Sequence, residues 1–131
     1  MDIFNTFATN TELEEAGVEI KIGPDAYITV ARAGNRKYAK LLSTLFEENR
    51  TLLETGTKEA DEYSDQLMVQ VIAETILLGW KGLKYKDKIL KHSVENAVTL
   101  LKVKDFRKLV MDHAQKIEHF KAGKESAAIK N

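Results

Sequence analysis

Between Trp80 and His92 the sequence interleaves cations with large apolar and aromatic side chains: Lys81, Lys84, Lys86, Lys88 and Lys91 alternate with Trp80, Leu83 and Tyr85. Ammonium groups at this density neutralise phosphates or carboxylates, and indole and phenol rings stack on bases or fill pockets in a partner protein. Trp80, Lys81, Leu83, Lys84, Tyr85, Lys86, Lys88 and Lys91 are therefore the candidate partner-binding residues. No recognition helix or single-strand-binding pattern accompanies them, so a protein is the expected partner and nucleic acid is not. In the alternative reading the lysines only solvate a loop, and Trp80, Leu83 and Ile89 anchor it to a core.

The other reactive side chains are dispersed. His92 falls in the same lysine-rich stretch. His113 and His119 are six positions apart, which on one helix points them to nearly opposite sides and leaves them unable to share an ion. His113 takes an apolar position on a helical stripe and reads as a core or boundary residue. Glu14/Glu15, Glu47/Glu48 and Asp61/Glu62/Asp65 are close in sequence, but adjacent carboxylates diverge on a helix and only Asp61 and Asp65 share a face. They read as solvated surface, not as an acid–base pair or a cation site. Gly34-Asn-Arg-Lys and Gly79-Trp-Lys-Gly lack the glycine spacing and Lys-Ser/Thr of a phosphate loop, and no serine has a Gly-x-Ser-x-Gly context. Cysteine is absent, so no thiolate metal site or disulfide framework is available. The expectation is a protein with no catalytic residue, no metal and no cofactor, hence not an enzyme.

The chain that must position the lysine-rich segment has 131 residues, 44% hydrophobic and 31% charged. That length fits a single domain, 1–131, able to bury about two-thirds of its unfolded surface. Twenty basic and twenty acidic residues cancel, but unevenly: residues 1–79 hold seven basic and fourteen acidic side chains, residues 80–131 thirteen and six. The split gives one copy's acidic part a basic counterpart on another copy, or within the same fold. Apolar runs such as Ile76-Leu77-Leu78 are far shorter than the ~18 residues of a membrane span, and the first residues lack the basic and apolar regions of a secretory signal. A soluble, cytoplasmic protein without membrane contact is expected.

Periodicity places the elements. Residues 1–16 read as a polar, flexible lead-in with turn-like Thr9-Asn10-Thr11. Val18, Ile20 and Ile22 alternate with Glu19 and Lys21, and Tyr27-Ile28-Thr29-Val30 is β-branched and aromatic, so a hairpin turning at Gly23-Pro24-Asp25-Ala26 is predicted. Tyr38, Leu41, Leu42, Leu45 and Phe46 then fall at helical spacing behind the N-cap Asn35, with Leu52 and Leu53 resuming the stripe. Gly56 ends that helix and Thr57 caps another, carrying Tyr63, Leu67, Met68, Val71, Ile72 and Ile76 and stopping near Gly79; together they predict an antiparallel αα-hairpin. Residues 80–92 read as a loop with a short extended piece. Ser93 caps a short helix, and a last helix from near Asp105 carries Phe106, Leu109, Val110, His113, Ile117 and Phe120, before a flexible tail at 124–131. The predicted class is mainly α: an N-terminal β-hairpin followed by an αα-hairpin, a loop and two further helices, a small α+β domain.

An ordered set of short signatures adds a resemblance. Phe7-Ala-Thr9, Gly17-Val-Glu-Ile, Ala31-Arg-Ala-Gly-Asn35-x-x-Tyr38 and Glu74-Thr-Ile-Leu-Leu-Gly-Trp80 are followed by Ser93-x-Glu-Asn96-Ala-x-x-Leu-Leu101 and Asp105-Phe-Arg-x-x-Val110. Ala114-x-x-Ile117-Glu-x-Phe120 and a closing Lys130-Asn131 complete it. The series resembles the tail assembly chaperones of long, flexible-tailed bacteriophages, from about Phe7 onward. That resemblance implies a non-catalytic factor of the host cytoplasm that coats and solubilises the tape measure protein, helps tail tube assembly and is absent from the mature virion. Genes of this kind commonly yield a longer product by ribosomal frameshifting, whose extension engages the tail tube protein; this chain would be the shorter, non-frameshifted product. Coating a long client calls for self-association, in an open spiral where a head-to-tail contact does not close. The alternatives are a structural virion or head–tail adaptor protein, retained in the particle, and a small nucleic-acid-binding regulator using the lysine loop.

Overall fold

A strand and a helix compete for the residues around Gly79, and the outcome sets the architecture. In the computed structural model, which describes residues 1–123, the hairpin forms where its alternation puts it: β1 is Val18–Gly23 and β2 is Ala26–Val30, antiparallel with Ile20 opposite Ile28 and Val18 opposite Val30. Those four residues bury one face of the pair. A lone hairpin is marginal in water, and the chain supplies a third strand, β3 (Leu77–Lys81), antiparallel to β2 with Trp80 opposite Ile28 and Leu77 opposite Val30. The sheet order is β1-β2-β3.

This third strand corrects the sequence reading, which ran the preceding helix to Gly79. The helix, α5 (Lys58–Thr75), ends four residues earlier. Ile76-Leu77-Leu78 is apolar at every position and satisfies either period, so local pattern does not decide. The open edge of β2 does: Ala31 N–H donates to the Ile76 carbonyl at the corner (2.9 Å) and the ladder continues from there. The fold is accordingly α+β, with a three-stranded sheet where one hairpin was expected.

The predicted αα-hairpin is present. α3 (Arg36–Glu48) and the single-turn α4 (Arg50–Leu53) precede α5, and α3 packs along α5. Asn35 caps α3, and the Thr57 hydroxyl accepts the Ala60 N–H of α5, both as their positions predict. Asn35 does more than cap. Its Oδ1 accepts the Tyr38 N–H (3.0 Å), while its amide donates to the carbonyls of Arg32 (2.8 Å) and Thr75 (3.2 Å), so one buried side chain joins the end of the sheet corner, the start of α3 and the end of α5.

α6 (Val94–Leu101), capped by Ser93, and α7 (Lys104–Ala114) close the core over α5 and β2. The last helix does not reach Phe120. It stops at Ala114, whose carbonyl accepts the Ala33 N–H (2.8 Å), and a separate 3₁₀ turn, Ile117–Phe120, drives Phe120 into complete burial beside Leu13, Ile28 and Val110. Residues 1–16, expected as a polar lead-in, carry two short helices, α1 (Ile3–Phe7) and α2 (Thr11–Ala16). Each is shorter than two turns, too short for a periodic stripe to announce it. What makes them are caps: Asp2 Oδ1 accepts Asn5 N–H, and Asn10 Oδ1 accepts the amides of Glu12 and Leu13. The expected flexible tail, 124–131, lies outside the described residues.

Replacing Asn35 with Ala removes a helix cap and the amide donor to the buried Thr75 carbonyl, while the Arg32 carbonyl keeps the Asn35 backbone N–H, and should cost about 2–3 kcal/mol. Asn35→Asp keeps the acceptor but turns a carboxylate oxygen onto the Arg32 and Thr75 carbonyls, and should be no more stable than the Ala variant at neutral pH. The midpoint of urea unfolding measures both; an Ala variant as stable as the parent would show that the three bonds contribute nothing.

Candidate interaction surface

Beyond β3 the segment expected to be a loop folds into a small two-stranded ribbon, β4 (Lys84–Tyr85) and β5 (Lys88–Ile89), with Lys84 opposite Ile89 and Tyr85 opposite Lys88. Its tip, Lys86-Asp87, has both residues in the left-handed region (φ 50° and 67°), the pattern of a type I′ turn whose twist matches a hairpin. Such turns are usually announced by Asn-Gly or Asp-Gly; Lys-Asp carries no such signal, and two-residue strands are too short to show alternation. Sequence reasoning therefore found the residues without the ribbon that organises them.

Four contacts brace the ribbon against the domain. The Trp80 indole Nε1–H donates to the Leu90 carbonyl (2.8 Å), and the Leu90 N–H donates to the Leu83 carbonyl (3.1 Å). Leu83 packs against the core. Gly82, at φ +73°, lies against the β1–β2 turn so closely that a Cβ there would fall 1.9 Å from the Asp25 carbonyl oxygen.

The eight candidate residues divide in consequence. Trp80, half-buried with His92 edge-on to its ring at 4.9 Å, and Leu83 point inward as braces. Lys81 pairs with Glu19 on β1 (3.2 Å). Lys84, Lys86, Lys88 and Lys91 project into solvent and take part in no ion pair among the described residues, and Lys86 Nζ lies 5.4 Å from the centre of the half-buried Tyr85 ring, within cation–π range. Ile89, grouped in the sequence reading with the anchors, is 73% exposed. The result is a rigid arm offering one naked aliphatic side chain amid four free cations. A second feature escaped the sequence altogether: Met1 and, on α1, Ile3, Phe4 and Phe7 all lie outward.

The carboxylates of the N-terminal part are mostly engaged. Glu14 meets Arg32 (2.9 Å) and also accepts from Thr9 Oγ1, Glu15 meets Arg36 (3.0 Å), and Asp65 meets Arg107 (3.1 Å). Arg36, a cation in the first turn of α3 where the helix dipole disfavours it, finds its compensation in Glu15. Of the exposed carboxylates outside the described ion pairs, which include Asp2, Glu12, Asp25, Glu48 and Glu74, three cluster at the start of α5: Glu59, Asp61 and Glu62. Asp61 and Asp65, expected to share a helix face, thus differ in their engagement. The histidines depart further from expectation. Because α7 breaks at Gln115, His113 and His119 are not on one helix, and His113 Nδ1 lies 3.1 Å from His119 Nε2. Among the described residues no set of three His, Asp or Glu side chains converges as metal ligands would.

The family described as YdaY prophage protein matches residues 33–131. This chain belongs to the YdaY family. It is a phage-derived protein, which the phage character of the resemblance had anticipated at that coarser level. The YdaY match begins at the entry to α3 and so takes in the αα-hairpin, β3, the ribbon and both later helices, leaving α1, α2 and the β1–β2 hairpin outside it. No curated protein and no solved structure matches this YdaY protein significantly.

Gly82→Ala forces both a clash with backbone and a strained φ, and should destabilise the domain by about 2 kcal/mol or more while prising the ribbon off the sheet. Trp80, the only tryptophan, reports this: its fluorescence should shift to longer wavelength in native buffer. An unshifted spectrum with full stability would mean the ribbon tolerates displacement.

Proposed function

We propose that this YdaY protein is a tail assembly chaperone: a non-catalytic factor that coats and solubilises the tape measure protein in the host cytoplasm, helps the tail tube assemble and is left out of the mature virion. The observation that carries the reading is α3. Its apolar stripe, Tyr38, Leu41, Leu42, Leu45 and Phe46, sits on a strongly two-faced helix, yet none of these side chains is fully buried by α5. A half-covered stripe between two antiparallel helices is the surface a long amphipathic client helix fits, apolar edge into groove. Phe4 and Phe7 of α1 offer further outward apolar surface. The ordered signatures from Phe7 to Asn131, and the phage ancestry of the family, point the same way. The tail tube protein enters as a partner chiefly through a longer, frameshifted form.

Self-association completes the reading. Glu14, Glu15, Glu19 and Asp65 are held by cations of their own chain, so the acidic cluster we assign to another copy is Glu59, Asp61 and Glu62, and the lysine cluster to meet it is Lys84, Lys86, Lys88 and Lys91. Two different patches in contact make a head-to-tail arrangement, which forms an open spiral if the rotation does not close.

Co-expression with the neighbouring tape measure protein tests the assignment. That protein should become soluble and co-purify only when this chain is present, and Leu41→Asp on the α3 stripe should abolish the rescue. A tape measure protein equally insoluble with and without this chain defeats it, and recovery of this chain in purified virions would favour the adaptor reading. Sedimentation separates off the charge argument: oligomers should shrink as salt rises from about 50 to 500 mM, since exposed pairs are screened within a few ångströms at the upper value. Reversing Lys84, Lys86 and Lys88 to Glu should do the same at low salt. A gel-shift of nucleic acid that survives about 150 mM salt would instead assign the ribbon to the regulator reading.

A further inference from the structure

Ile89 stands almost bare on the lysine ribbon, 73% exposed, although it is the one branched aliphatic residue that the two short strands carry. Lys84 lies directly opposite it, so the two share one face of the ribbon, and alternation turns Tyr85 and Lys88 to the other. The left-handed Lys86-Asp87 tip and the bond from Trp80 to the Leu90 carbonyl (2.8 Å) fix the direction in which that face looks. The shape offered is an apolar knob ringed by ammonium groups.

Its complement is a hollow of about 380 Å³ between α3 and α4. Half-buried Phe46 and Leu53 line it and Ser43 stands at its exposed edge. Glu47 and Glu54 complete the rim around Arg50, which bonds both (3.3 and 3.2 Å), and Leu52 beside it is 41% exposed. The Thr55 hydroxyl, bonded to the Leu52 carbonyl (2.8 Å) and to Thr57 Oγ1 (3.0 Å), ties the end of α4 to the cap of α5. Glu59, Asp61 and Glu62 therefore stand at the same end of the αα-hairpin as the hollow. Residues 43–62 carry six carboxylates against two cations, Arg50 and Lys58. Among the described ion pairs, none joins this end of the hairpin to the ribbon of the same chain.

We infer that Ile89 of one copy seats in the α3–α4 hollow of the next, against Phe46 and Leu53, while the lysines around it meet the carboxylates around the hollow. This contact presupposes the head-to-tail self-association of the proposed function and supplies its anchor. Charge complementarity makes a second copy the occupant: an apolar knob with a cationic ring fits an apolar floor with an anionic rim. Attraction between exposed charges is weak, screened by salt and indifferent to register, whereas a side chain entering a hollow admits one register. The two surfaces differ, so each added copy leaves one knob and one hollow free at the ends, and growth continues. Phe46 closes the α3 stripe, so a seated knob leaves Tyr38, Leu41 and Leu42 for the client helix.

The chain has no cysteine, so introduced thiols report the contact without background. Lys84→Cys, opposite Ile89, and Ser43→Cys, at the edge of the hollow, both replace exposed side chains and leave the apolar partners in place. With a short bis-maleimide at about 50 mM salt, a mixture of the two variants should give a linked pair. Each variant alone should give none, and the double variant should give a ladder of linked chains. Adding Ile89→Ser should cut linking about tenfold or more, the loss expected when one isoleucine is no longer buried. Lys84→Cys linking to itself would reveal a symmetric ribbon–ribbon contact and overturn the inference, as would linking indifferent to Ile89→Ser. Sedimentation of the same samples separates the levels of failure. Oligomers without the mixed link overturn the knob-and-hollow contact and leave head-to-tail charge pairing standing, whereas no oligomers at low salt overturn both. A linked pair beside a tape measure protein that stays insoluble would keep the contact and defeat the chaperone reading alone.

Discussion

The burial of one face of a three-stranded sheet is the constraint on which the rest of this structure depends. Ile20, Val18, Ile28, Val30 and Leu77 are buried together, α5 and α7 pack against the sheet, and α3 and α6 pack in turn on α5. Each such side chain fully buried contributes about 1.5–3 kcal/mol, and none of the elements involved could hold its own conformation in isolation: two strands of five or six residues, a third that begins within two residues of a helix end, and helices of eight to eighteen residues. Phe120, arriving from the far end of the described chain, fills the last of that surface beside Leu13 near its beginning. N- and C-terminal segments are thus joined through the core and not only at their backbones.

Electrostatics is arranged around that core in an uneven way. Two ion pairs join the acidic part of the sequence to the basic part, Glu19 with Lys81 and Asp65 with Arg107, while Glu14 with Arg32 and Glu15 with Arg36 lie within the acidic part. These are largely exposed pairs, each worth no more than about 1 kcal/mol, so they orient segments more than they hold them. What they leave over is more telling. Four lysines cluster on a braced ribbon and three carboxylates at the first turns of α5, where the helix dipole favours anions. A fold that pairs only part of its charge internally, and keeps a cluster of each sign on a separate element, has surface suited to association.

Legibility in the sequence followed the length and regularity of each element. The β1–β2 hairpin, α3, α5 and α6 were readable because their apolar periods run for several repeats and begin at unambiguous caps, Asn35, Thr57 and Ser93. α1, α2 and the lysine ribbon were not, being too short to display a period and built on caps and left-handed turn residues whose effect depends on what they pack against. Within the candidate surface, the sequence located the residues 80–91 but not their division of labour. Trp80 and Leu83 look as suited to contact as Tyr85 until the indole is seen to hold the Leu90 carbonyl, and Ile89 looks like an anchor until its strand is seen to turn it outward.

The sequence by itself determined the class of elements, the positions of the longer helices, the polarity of the chain's charge and the absence of thiol chemistry, because these follow from residue type and local spacing. Tertiary structure alone decided where α5 yields to β3, since an all-apolar run takes whichever hydrogen-bonding partner is offered, and β2 offered one. It decided as well that α7 ends at Ala114 and that a separate 3₁₀ turn carries Phe120 into the core. That break brings His113 and His119 together, a meeting that helical spacing forbids and only a change of chain direction allows.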